Sequence, residues 1–134
     1  MWEIIEENFD ALKSTAMKLP RTLTYNDFYY TDLAIARNNS SALVFDYNLL
    51  GKGYVYADIR NVYSSLGEKA KVAFLSAYGE YNEHEKDVDD VVSPLVTLHF
   101  ACQREKLPNW AMASFEQLKD GKMLVAVRKL LGEK

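Results

Sequence analysis

ALVFDYNLLGKGYVYADIRNVYSSL, residues 42–66, decides the fold. Two readings compete for its first half. As strands, residues 42–47 and 54–59 are β-branched and aromatic. The stretch 48–53 between them, with Gly51 and Gly53, reads as a hairpin turn. As helix, Leu43, Val44, Tyr47 and Leu50 fall at i, i+1, i+4 and i+7, and Gly51 is the stop signal. The second half is clearer. Val55, Ile59, Val62 and Leu66 make one helical stripe closed by Gly67. Because that phase extends unbroken past the would-be strand, the helical reading is preferred and a β-hairpin at 42–59 is kept as the alternative.

Upstream, a first helix is expected over residues 2–18, with Ile5, Phe9, Leu12 and Ala16 inward and Pro20 as its stop. A second is expected from a Thr24 or Asn26 cap through Phe28, Leu33 and Ile35 to Arg37, before the polar break of residues 38–41. Downstream, residues 68–78 read as a helix with Val72 and Leu75 inward, ended by Gly79. Val88, Val91, Val92, Leu95, Leu98, His99 and Cys102 share one phase, interrupted by Pro94. Either Ser93 caps a new helix there or one helix is kinked. Ala111, Phe115 and Leu118 mark the next helix. Asp120 caps the last, where Leu124, Val127 and Leu131 lie on one face before Gly132. The expected fold class is therefore all-α: a compact bundle of about six or seven short antiparallel helices, forming a single helical domain over 1–134.

The chain has 134 residues, 49% of them hydrophobic and 26% charged, as in an ordinary globular domain. No apolar run approaches the roughly 20 residues needed to span a bilayer. The first ten residues carry Glu3, Glu6, Glu7 and Asp10, unlike a secretory or transit leader. One cysteine, Cys102, forms no internal disulfide and fits a reducing compartment, so a cytoplasmic location is expected. The net charge of −3 opposes non-specific phosphate binding. Residues 80–90 hold six acids against Lys86 alone, more than the whole net charge.

Chemical motifs are sparse. Gly51-Lys52-Gly53 lacks the third glycine of a dinucleotide loop. No serine sits in a nucleophile elbow. His99 and Cys102, three apart on an apolar stripe, read as core residues. The reading thus assigns no catalytic residue, no metal ligand and no cofactor.

The surface carries more signal. Eight of nine tyrosines lie between Tyr25 and Tyr78. Tyr25, Phe28, Tyr29 and Tyr30 are too close in sequence to share one buried face, so some rings must reach a surface, where tyrosine favours interfaces. The expected function is a non-enzymatic protein–protein interaction module: an inhibitor, regulator or subunit. It would dock through Tyr29, Tyr30, Tyr54 and Tyr56, with Glu83, Glu85, Asp87, Asp89 and Asp90 steering a basic partner such as a nucleic-acid-binding protein. Self-association through the tyrosines is a close variant. Two alternatives stand beside it: a small helical metal- or ligand-binding protein using His84 and His99 with nearby carboxylates, and a nucleic-acid-binding subunit of a larger complex.

Overall fold

Apolar spacing places the five helices from Val55 onward and the helical N-terminus, and it misplaces the segment between residues 24 and 50. A computed structural model describes residues 1–133. Among them are seven α-helices and two 3-10 turns, which together make the chain 61% helical, and two small two-stranded sheets. The fold is mostly helical and not purely all-α. Backbone contacts divide it into two compact units, Met1–Leu19 with residues 83–133, and Pro20–Asn82.

The first unit is entirely helical. Its N-terminal helix is broken: α1 spans Trp2–Glu7 and α2 spans Phe9–Lys18. Asn8 leaves helical geometry at φ −112° and ψ 13°, and its side-chain amide donates back to the Ile4 carbonyl at 2.9 Å. The break turns Phe9 outward, while Ile5 and Leu12 stay buried. The helix α5, Glu83–Ala101, runs through Pro94, so no new helix begins at Ser93. It packs on α6, Met112–Lys119, and on α7, Lys122–Leu131. Ile5, Leu12, Val91 and Val127 meet in one buried cluster with Leu95, Leu130 and Leu131 around it.

The second unit departs from expectation. No helix forms between residues 24 and 37. Instead β1, Thr22–Thr24, leads through a loop and a single 3-10 turn, Tyr30–Asp32, into β2, Leu33–Ile35. Residues 42–50 are not helical either. Strand β3, Ala42–Val44, pairs backwards in sequence with β2, and β4, Gly51–Gly53, pairs with β1, both antiparallel. The alternative hairpin within 42–59 is therefore also absent. Its two halves take earlier partners, and helix begins at Val55.

Helix α3, Val55–Ser65, follows the expected stripe, with Ile59 and Val62 buried. Helix α4, Glu68–Tyr78, ends at Gly79 as expected, but Val72 faces outward. No helix among the described residues is long and apolar enough to cross a membrane.

Candidate functional site

The β2–β3 hairpin organises the second unit's polar residues. Its register sets Leu33 against Val44, Ala34 against Leu43 and Ile35 against Ala42. At the closed end the Ala36 amide donates to Ser41, and Asn39 takes the left-handed turn conformation at φ 56°. At the open end the Phe45 amide donates to the Asp32 carbonyl at 3.0 Å. This pair places Asp46 one residue beyond Asp32's partner. Asp46 itself sits at φ 67°, and its carboxylate accepts from the Asn48 side-chain amide. The Asp32 carboxylate accepts the Tyr29 amide at 3.1 Å.

A third carboxylate, Asp27, lies on the loop after β1. That loop is fixed from α3. Asp58 Oδ2 accepts the Tyr25 amide at 3.0 Å, and Oδ1 accepts the Asn26 amide at 2.8 Å. Asn26 adopts φ 69°. Its side chain donates to the Leu49 carbonyl at 2.9 Å, and its Oδ1 accepts from the Thr24 hydroxyl at 2.8 Å. Gly53 is required beside it, since a Cβ there would overlap both Thr24 Oγ1 and Asn26 Oδ1.

Tyr25 connects the pieces. Its hydroxyl donates to the Phe45 carbonyl, and its ring meets Phe28 and Tyr47 edge-on at 6.2 and 5.8 Å. Its pKa is raised above the ordinary 10.0, first by desolvation and then by the charges of Asp32 and Asp46, with smaller contributions from Tyr47 and Asp27. One phenol thus feels all three carboxylates. Left-handed non-glycine residues concentrate where surrounding structure enforces them, often at functional loops. Of the three among the described residues, Asn26 precedes this cluster and Asp46 belongs to it.

Among the described residues no three of His, Cys, Asp and Glu converge closely enough to ligate one ion unaided. Mg²⁺ does not require that. It is commonly held by one or two carboxylates, with the remaining oxygens from water and a bound phosphate.

Of the residues singled out from sequence, only Tyr29 touches this cluster, through its backbone amide. Tyr29 and Tyr30 are exposed with ring centroids 4.7 Å apart, and the Tyr30 amide donates to Ser65 Oγ. The Arg21 guanidinium lies over the Tyr54 ring at 5.5 Å. Tyr56 is only 7% exposed and packs on Tyr81 at 5.0 Å, so it is a core residue and offers no docking surface. The acidic segment is the start of α5, where early acids suit the helix dipole. Glu85 and Asp89 are 4% and 9% exposed, which removes them from a solvent-facing acidic patch. Asp87 pairs with Lys129, Asp90 pairs with Lys86, and Glu83 is exposed.

His84 and His99 sit fifteen residues apart on α5, about 22 Å along a helix, and cannot share one ion. His99 lies within 3.1 Å of the Gln103 side-chain nitrogen. Both His99 and Cys102 are exposed, contrary to the expected burial.

The sequence reading missed Asp27, Asp32 and Asp46. The signal was present as Asp27-x₄-Asp32 followed, after a strand–turn–strand stretch, by Asp46. A helix drawn through residues 24–37 concealed it. Comparisons with known protein families, curated proteins and solved structures return no match for this chain.

Proposed function

We propose that Pro20–Asn82 supplies the acid–base and cation-holding part of a site that transfers a phosphoryl group from a nucleotide to a hydroxyl acceptor. Such chemistry needs a carboxylate to accept the hydroxyl proton and oxygen ligands that hold Mg²⁺ against the phosphates. One recurrent arrangement puts the base on a loop, one cation ligand five residues later, and a second on a following loop. Asp27, Asp32 and Asp46 have that order and spacing. Asp32 stands where that arrangement has an asparagine, which adds a negative charge beside the cation.

In this reading Asp27 takes the acceptor's proton as its oxygen bonds to phosphorus. The bond from phosphorus to the bridging oxygen breaks, and the nucleoside diphosphate leaves. Asp32 and Asp46 would hold a divalent cation, which would offset the charge on the phosphates. The carrying observation is the Asp32–Phe45 pair, which brings Asp32 and Asp46 to one end of the hairpin.

The test is Mn²⁺ with ATP, read as paramagnetic broadening of backbone amides. Broadening centred on residues 27, 32 and 46, deepened by ATP and lost in Asp46→Asn, supports the site. Broadening spread over surface acids at large overturns it.

A second reading, the non-enzymatic docking module, is favoured by a separate observation. Leu23, Ile35 and Leu43 are exposed on two-stranded sheets that each leave backbone edges unpaired. A protein partner would cover them; in the acidic segment Asp87 and Asp90 are already paired with Lys129 and Lys86. Its test is capture of a defined partner that Leu43→Asp abolishes while the circular dichroism spectrum stays native.

A further inference from the structure

We infer that Asp58 is the positioning residue of this site, acting on Asp27 through the backbone; the inference rests on the phosphoryl-transfer reading. Asp58 lies in the first turn of α3 and is 8% exposed. Both its oxygens are committed to the loop, one to the Tyr25 amide and one to the Asn26 amide. Asn61, one turn further along α3, donates its side-chain amide to the Asn26 carbonyl at 3.1 Å. That carbonyl belongs to the peptide bond leading into Asp27. One helix face therefore grips the amides before Asp27 and the carbonyl of the peptide joining it to Asn26.

The grip is needed because Asn26 holds a conformation most L-residues avoid. Two adjacent amides aimed at one carboxylate hold the loop in place against that preference. A carboxylate is the only common side chain with two acceptor oxygens, one for each amide. Asparagine at 58 would keep one oxygen and turn an N–H₂ group toward the other amide, donor against donor. Glutamate keeps both oxygens on a longer arm.

The experiment is amide hydrogen exchange and Mn²⁺ broadening on the whole chain, comparing wild type with Asp58→Asn, Asp58→Glu and Asn61→Ala. Asp58→Asn is expected to speed exchange at Tyr25 and Asn26 by at least tenfold. It should also weaken broadening at Asp27 relative to Asp46. Asp58→Glu should recover part of both, and Asn61→Ala should show a smaller change of the same kind.

Unchanged exchange at both amides overturns the inference. So does a loss of protection spread evenly over α3 and α4, because that marks a merely structural carboxylate. If Asp58→Asn fails to fold, Asn61→Ala and Asp58→Glu carry the decision on the same two readouts. A wild-type chain with no localised Mn²⁺ effect removes the phosphoryl-transfer reading, while exchange at Tyr25 and Asn26 still reports whether Asp58 holds the loop.

Discussion

The Phe45 amide donates to the Asp32 carbonyl at 3.0 Å, so Asp32 and Asp46 arrive at the same end of one hairpin from opposite strands. Asp46 is exposed, and asparagine tolerates its left-handed backbone. Asp46→Asn should therefore leave the melting temperature near wild type and weaken Mn²⁺ binding by at least about 10-fold, the lower end of the loss seen when even an outer-shell partner of a metal ligand is removed. Calorimetric titration with and without ATP measures it. Equal affinity in the two proteins contradicts the assignment of Asp46.

Tyr25 gives an optical reporter of the same cluster. Desolvation and then the negative charges of Asp32 and Asp46 hold its phenol protonated above pH 10.0. The unfolded chain releases that proton first, so this contribution to stability is complete below about pH 10 and is lost as pH rises through the folded value. A divalent cation between the carboxylates offsets their field and should move the pKa back down. Absorbance at 295 nm, taken as the difference between wild type and Tyr25→Phe, should show a lower midpoint with Mg²⁺ than without. A midpoint indifferent to Mg²⁺ places the cation elsewhere.

How far the sequence could be read depended on which forces were local. Val55, Ile59, Val62 and Leu66 specify α3 through their own spacing, and Leu124, Val127 and Leu131 do the same for α7. The loop before β2 is different. Tyr25 and Asn26 are held by Asp58 more than thirty residues away, and β3 finds its partner across a turn that leaves no periodic trace. Three-residue strands are too short to show alternation, and the apolar residues within them fit a helical phase equally well. A helix over residues 24–37 does not bring Asp32 and Asp46 to one end of a hairpin, so the candidate carboxylates are legible only once the strands are known. Burial of Tyr56, Glu85 and Asp89 was invisible for a related reason, since residue type alone suggested a surface.

The close packing at Gly53 predicts a local stability effect. A methyl group there meets Thr24 and Asn26, both engaged in hydrogen bonds that fix the loop. Gly53→Ala should cost about 1–3 kcal/mol, the usual range for overpacking. Gly67 is the contrasting position. It caps α4 at φ −73° and ψ 161° with open space around it. Gly67→Ser should gain a few tenths of a kcal/mol by supplying a side-chain acceptor. Urea unfolding of the two variants should move in opposite directions, and a neutral Gly53→Ala would mean the loop yields.

At the start of α7, Asp120 accepts the Lys122 amide at 3.1 Å and pairs with the Lys122 ammonium at 2.7 Å. The side-chain bond from Lys122 and then its backbone amide lower the Asp120 pKa below 3.8, and the same pair raises that of Lys122. A lowered carboxylate pKa stabilises the folded chain above its unfolded value, and the benefit is lost as pH falls through the folded value. Asp120→Ala should therefore melt below wild type at pH 7, and the gap should close as both are taken down past pH 3.8. Asp120→Asn keeps an oxygen for the Lys122 amide and drops the ion pair, so it should fall between them at low salt and approach wild type at high salt. A gap between wild type and Asp120→Ala that persists unchanged at pH 2 would mean that Asp120 acts through the shape of the turn and not through its charge.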